Sequence, residues 1–359
     1  MKLPLFASLA LLAAPALAQQ PAPPPVQPTQ PTADEGLSGS VSDEADWQDL
    51  GIAITDFPTD ADVATQASGG STAQLGRGLA RIISGNLRNN GLFKPSGPDG
   101  LPQPLFGEVQ SPNYGLWQGR SAEMLVQGSV SASPGGQLAI GCFLFDVALK
   151  QQLAGASWTV PPSDWRRAAH RCSDLVYSRL SGENPFFDSR IAYIAETGPK
   201  SRRIKRLAVM DSDGANHQYL TTGRAMALTP RYSPDYRSIL YLSYLDGKPR
   251  IYVYDLAAKT QRLIAQTGNP TFAPRWSPDG RWVLFSMAVA GNTDIYRIPA
   301  SGGASQKLTA APGINIGGSF SPDGSKIVFE SDRSGSQQLY IMNADGSGQR
   351  RFSFFGGRA

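Results

Sequence analysis

One short motif returns three times at a fixed spacing. Ser233-Pro234-Asp235, Ser277-Pro278-Asp279 and Ser321-Pro322-Asp323 lie 44 residues apart (277 − 233 and 321 − 277). An aromatic residue precedes each serine: Tyr232, Trp276 and Phe320. Two apolar runs follow in step, Ile239-Leu240-Tyr241-Leu242 and Ile251-Tyr252-Val253-Tyr254 in the first copy, with counterparts from Val283 and Ile295 and from Ile327 and Leu339. Asp211, Asp255 and Pro299 keep the same phase, and Asp345-Gly346 stands at the matching turn of the last copy. Short strands and Asp-Gly turns at a period in the low forties predict a β-propeller. Each copy is a small sheet apolar on both faces, because it packs on the copy before it and the copy after it. Such a scaffold is first a binding platform, so partners are sought before catalysis.

The N-terminus sets the compartment. Lys2 precedes the apolar run Leu3 to Leu17, which ends Ala16-Leu17-Ala18. A positive charge, a short apolar stretch and an Ala-x-Ala end predict a cleavable export signal over 1–18. The run is short for a bilayer span and broken by Pro4 and Pro15, so an uncleaved anchor is the lesser reading. Removing Lys2 takes the formal charge from +4 to about +3. With both signs dispersed and no basic stripe interleaved with aromatics, nucleic acid is not an expected partner. No membrane span is expected in the mature chain, which should be a monomer.

Residues 19–49 read as a flexible segment. Its first part holds Pro21, Pro23, Pro24, Pro25, Pro28 and Pro31, an extended tether. Its second part holds Asp34, Glu35, Asp43, Glu44, Asp46 and Asp49 with no Lys or Arg, around the sparse apolar points Leu37, Val41 and Trp47. Such a segment can order itself on a partner, although composition alone favours a solvated linker. Residues 50–185 predict a small α/β domain. Leu50 to Phe57 alternates like a strand, and Ser71 or Thr72 caps a helix carrying Leu75, Leu79, Ile82, Ile83 and Leu87 up to Gly91. Met124 to Val130 and Leu138 to Val147 predict strands around Pro134-Gly135-Gly136, and Ser163 starts a second helix ended by Gly182. The fold class is thus an α/β N-terminal domain followed by an all-β propeller over 186–359. About four blades are present, the first incomplete. Neither a fifth copy nor a closing strand follows the fourth, which predicts a C-terminally truncated sequence. Cys142 shares a strand face with Ile140 and Leu144, and Cys172 a helix face with Ala168 and Val176. A disulfide and two separate buried thiols both fit.

Catalytic chemistry is not visible. The two histidines, His170 and His217, stand near no recognisable nucleophile, and no Gly-x-Ser-x-Gly elbow occurs. No Cys/His cluster has metal-ligand spacing. Asp211-Ser212-Asp213-Gly214 lacks the later bidentate glutamate of a calcium loop, and turn chemistry explains the Asp-Gly pairs better. Neither cofactor nor metal is expected. Lys200, Arg202, Arg203, Lys205 and Arg206 crowd one hairpin, read as a solvated tip before an anionic-partner contact.

An export signal, an acidic segment, a small α/β domain and Tyr/Trp/Phe-Ser-Pro-Asp repeats together resemble the TolB family, propeller proteins of the periplasmic Tol-Pal system of Gram-negative bacteria. The most telling stretches are Phe186-Phe187-Asp188-Ser189-Arg190-Ile191-Ala192-Tyr193, Pro274-Arg275-Trp276-Ser277-Pro278-Asp279-Gly280 and Phe329-Glu330-Ser331-Asp332-Arg333-Ser334-Gly335. The resemblance implies a six-bladed propeller that binds the lipoprotein Pal and an N-terminal segment that engages TolA, supporting outer-membrane invagination at division and envelope integrity. It implies a non-enzymatic adaptor in the periplasm. Gly36, Leu37, Ser38 and Val41 fall where the family's TolA-contacting segment lies. Met226, Thr271, Phe272, Asn315 and Ile316, in the loops before the Ser-Pro-Asp strands, would line the mouth that takes Pal. The competing reading is a secreted propeller peptidase or glycan-active enzyme whose catalytic domain lies beyond this sequence.

Overall fold

The structure is a computed structural model that describes residues 50–354 apart from Ser121 and Gln266. The predicted export signal, the Pro-rich and acidic segment, and the end from Phe355 onward lie outside the described residues.

The α/β part is built on β1 (Leu50–Ile54), α1 (Thr72–Asn90), β2 (Phe93–Ser96), α2 (Tyr114–Gln118), β3 (Met124–Ser133), β4 (Gln137–Asp146), β5 (Gln151–Val160) and α3 (Trp165–Ser181). The sheet order is β2-β1-β3-β4-β5, with β1 parallel to both its neighbours and β3, β4 and β5 antiparallel. The predicted caps of α1 hold. Ser71 Oγ accepts from Gln74 N while the Gln74 side chain accepts from Ser71 N, and Gly91 closes the helix at φ 82°. Leu75, Leu79, Ile83 and Leu87 recur at helical spacing and meet Ile54, Val126 and Ile140 of the sheet in one core with Ala168 and Val176 of α3. Gly76 permits that approach, since a Cβ there would lie 1.9 Å from Phe57 O. Cys142 on β4 and Cys172 on α3 are joined, with Cα atoms 5.8 Å apart. That resolves the sequence alternative in favour of the disulfide.

Several details differ from the sequence reading. The first strand ends at Ile54, and α3 starts at Trp165 after a 3-10 turn over Pro162–Asp164, so Ser163 precedes the helix. β2, α2 and β5 were not anticipated. β2 is four residues long and contains Pro95, which breaks a strand signal. β5 is an edge strand of Gln, Gly, Ala, Ser and Thr around Leu153 and Trp158, with too little alternation to read.

The repeats form four sheets. The first holds β6 (Arg190–Thr197), β7 (Ile204–Asp211) and β8 (Gln218–Tyr219). The second holds β9 (Ala227–Tyr232), β10 (Ser238–Ser243), β11 (Arg250–Asp255) and β12 (Thr260–Leu263). The third holds β13 (Thr271–Trp276), β14 (Trp282–Val289), β15 (Asn292–Pro299) and β16 (Gln306–Lys307). The fourth holds β17 (Asn315–Phe320), β18 (Lys326–Ser331), β19 (Gln338–Asn343) and β20 (Arg350–Arg351). All are antiparallel meanders. Side chains that alternate along one strand serve two interfaces, as the sequence predicts. Ile239 and Tyr241 pack with Leu207 and Val209 of the first sheet, whereas Leu240 packs with Val283 and Phe285 of the third. Leu284 then joins Ile327 and Phe329 of the fourth. Tyr232, Trp276 and Phe320 lie half-buried against these clusters.

The Ser-Pro-Asp motif closes the turn between the first two strands of a sheet. The hydroxyls of Ser233, Ser277 and Ser321 accept from the backbone N–H five residues on at 2.9–3.0 Å, and each donates to the aspartate two residues on. The serine hydroxyl and backbone N–H groups hold the Asp279 and Asp323 carboxyls down to about 2. The next residue is left-handed, at φ 71° in Gly280 and 73° in Gly324, but Tyr236 occupies it in the second sheet at φ 58°. A second left-handed position recurs within each first strand, at Thr229 (φ 48°), Ala273 (φ 53°) and Gly317 (φ 70°), where the ladder to the next strand shifts register.

Candidate functional site

Two places could serve recognition: one end of the repeat sheets, and the junction between α3 and the first sheet.

At the first, the loop before each opening strand meets the hairpin between the second and third strands. Tyr244 N donates to Met226 O at 3.2 Å, Ala288 N to Pro270 O at 3.1 Å and Gly313 N to Asn292 Oδ1 at 3.4 Å. Of the residues assigned to this mouth from the sequence, Met226 is exposed and Phe272 and Ile316 are half-buried. Thr271 and Asn315 are a correction, because both are buried and offer no contact surface. Asn315 Nδ2 donates to Ala311 O at 3.0 Å and Thr293 O at 3.2 Å, and its Oδ1 accepts from Ser331 Oγ at 2.8 Å and Arg333 Nη2 at 2.7 Å. Thr309 Oγ1 donates to Asp294 Oδ1 at 2.7 Å, and Lys307 Nζ lies 2.7 Å from Asp294 Oδ2, which raises the lysine above its ordinary range. A polar residue in a loop-like stretch looks exposed from sequence, whereas here it satisfies the groups that join two sheets.

The large apolar side chains that this end exposes are Met226, Leu245, Val289 and Ile314, alongside polar residues such as Asp246 and Lys248. Ile314 belongs to a loop that the sequence already places at this mouth, whereas Leu245 and Val289 lie outside those loops, although large apolar residues at hairpin tips are themselves a signal, since turns favour Gly, Asn and Asp. The basic hairpin lies at the same end of the first sheet, with Lys200, Arg202 and Arg203 exposed and Arg206 stacked 4.9 Å over Tyr219.

The junction is polar and closely tied. The Asp174 carboxylate accepts from the backbone N–H groups of Phe186, Phe187 and Asp188 at 2.9, 2.6 and 3.0 Å, pinning the connection to α3. Phe186 and Phe187 pack edge-on against Tyr177. Asp188 pairs with Arg167 Nε at 3.0 Å and Arg171 Nε at 3.1 Å. Burial opposes its ionised form, but the two guanidinium groups prevail and hold its carboxyl below the usual range. Arg166 pairs with Asp213, and Arg190 Nε lies 3.7 Å from Asp211 Oδ1. His170, 1 % exposed, accepts at Nδ1 from Asn86 Nδ2 at 2.9 Å, and its Nε2 stands 3.7 Å from Asp213 Oδ2. Burial lowers its pKa, against the pull of Asp213 and Asp211. Of these groups, Arg166, Arg167, His170, Asp188, Arg190 and Asp211 line a cleft of about 370 Å³. No local sequence pattern announces it, because α3 and the first sheet's turn meet only through tertiary docking. His217 pairs at Nδ1 with Tyr193 Oη at 2.5 Å on the surface.

Gly36, Leu37, Ser38 and Val41 lie outside the described residues. Among the described residues, no helix is long and apolar enough to cross a membrane.

Comparison with known proteins gives one answer at three levels. Residues 177–359 match the family described as the TolB beta propeller domain, and residues 41–153 the TolB amino-terminal domain. The chain is 70% identical over 257 residues to the Tol-Pal system protein TolB 1 of Novosphingobium aromaticivorans, covering 72% of this chain and 56% of that protein. It is 57% identical over 251 residues to the Tol-Pal system protein TolB of Sphingopyxis alaskensis, covering 70% and 54%. The chain thus spans about half the length of the curated relatives it matches. The crystal structure of TolB from Acinetobacter baumannii superposes with a TM-score of 0.69 at 29% identity, covering 86% of this chain and 73% of that one.

Proposed function

The chain belongs to the TolB family, and from that premise we propose that it is a non-enzymatic, monomeric periplasmic adaptor of the Tol-Pal system. It binds the lipoprotein Pal through the loop end of its repeat sheets and TolA through the segment around Gly36, Leu37, Ser38 and Val41. In this role it supports outer-membrane invagination during division and envelope integrity. The observation that carries the reading is the set of apolar side chains exposed at the loop end: Met226, Leu245, Val289 and Ile314. Exposed apolar groups on loops held by a rigid scaffold favour protein recognition, and the half-buried Phe272 and Ile316 stand beside them.

Calorimetric titration of the chain with soluble Pal tests this reading. Met226→Glu and Ile314→Glu should each weaken binding by at least about tenfold, as loss of a central apolar contact does. Equal affinity in both variants would place Pal elsewhere. Deleting residues 36–46 should abolish TolA binding and leave Pal binding intact; retained TolA binding removes that assignment.

A further inference from the structure

We propose that His170, Asp211 and Asp213 form a site for a divalent cation of the zinc class, joining α3 to the turn of the first repeat sheet. One imidazole nitrogen and two carboxylates are a donor set suited to such a cation. Their ligand atoms lie within 4.8 Å of one another. His170 Nε2 and Asp213 Oδ2, 3.7 Å apart, are already near the roughly 3.4 Å that separates two ligands each about 2.1 Å from a tetrahedral metal.

A second observation points the same way. His170 is 1 % exposed, and its Nε2, aimed at the carboxylates, has no hydrogen-bond partner. A buried polar atom of this kind is uncommon and calls for a physical reason. Asn86, fixed against His170 Nδ1 and Ser173 Oγ at 2.9 Å each, is the outer partner that orients a ligating imidazole. Turning its amide by half a rotation, with the Ser173 hydroxyl swung from Ala169 O to the amide oxygen, lets Oδ1 accept from an Nδ1–H as well, which leaves Nε2 free to coordinate. The Asp213 side chain is 18% exposed and provides the way in.

The guanidinium of Arg166 is the competitor. It holds Asp213, while Arg190 and Asn216 Nδ2 hold Asp211. A cation enters by displacing Arg166 from Asp213, so Arg166 sets the affinity.

Titration of the tag-free full chain with zinc sulfate in a calorimeter, alongside its thermal midpoint with and without zinc, tests the site. One saturable micromolar site per chain is expected. His170→Gln and Asp213→Asn should each weaken it at least tenfold, His217→Gln should leave it unchanged, and Arg166→Gln should tighten it about tenfold. Asp213→Asn keeps the test decisive if His170→Gln fails to fold. The absence of a saturable site in the wild type, binding that survives in both ligand variants, or binding lost in His217→Gln would overturn the proposal.

Discussion

Leu79 in α1 and Phe285 in β14 are both buried, yet they depend on the rest of the chain in opposite ways. Leu79 sits in one core assembled from strands and helices between Ile52 and Phe187 and cross-linked by Cys142–Cys172. Phe285 sits between two neighbouring sheets, and its cluster reaches no further than Leu240 on one side and Ile298 on the other. A core of the first kind is gained or lost as a whole. Stability of the second kind is a sum of nearest-neighbour interfaces, so damage stays near where it is made. The Cys142–Cys172 cross-link lies in the core of the first kind, where a single event can undo everything.

The sharpest way to break the contrast is Phe285→Ala. Removing a buried aromatic side chain should cost about 3–5 kcal/mol. Hydrogen exchange should quicken in β10, β14 and β15 while the amides of α1 and α3 keep their protection. Loss of protection in α1 as well would show that the repeats and the α/β part unfold together. Cys142→Ser with Cys172→Ser should do the reverse. Opening a 30-residue separation should remove about 3–4 kcal/mol by the chain-entropy argument, lowering the midpoint of the α/β transition and sparing the repeat sheets.

Asp188 probes the seam between the two. Asp188→Asn leaves Arg167 and Arg171 without their carboxylate and should cost about 1 kcal/mol, since the pairs are partly solvated. Its folded pKa is depressed, so the contribution is complete above the unfolded carboxylate value near 3.9 and disappears as pH falls through the lower folded value. Acid unfolding of the wild type followed below pH 4 should show this dependence, and the variant should lose the share that Asp188 contributes while that of Asp279 and Asp323 remains. The smallest effect expected is a gain. Tyr236 holds a left-handed conformation that Gly280 and Gly324 hold without strain. Tyr236→Gly should raise stability by about 0.5–1 kcal/mol after the entropy of the unfolded chain is counted, measurable by denaturant titration.

Legibility from sequence followed the same division. The repeats could be read because each copy is confirmed by the next; Ser233, Ser277 and Ser321 point to one turn three times over. The α/β part was readable where a helix shows its caps, as at Ser71 and Gly91, and unreadable where a strand is short or at an edge, as in β2 and β5. Site residues were harder. Position before the Ser-Pro-Asp motifs puts Thr271 and Asn315 at the mouth, but both open strands, β13 and β17, and are buried, Asn315 in a polar network that only the three-dimensional arrangement reveals. His170 and Asp213 come together through docking of two elements, for which no local pattern exists.

The left-handed kink at Thr229, Ala273 and Gly317 has an evolutionary corollary. Because each of the three four-stranded copies carries the same offset at the same point, each inherits a fixed parity of inward and outward side chains. Gain or loss of one amino acid inside a copy would invert that parity for the strands around it, while duplication or deletion of a whole copy would preserve it. Genes for such chains should therefore change length in steps of an entire repeat.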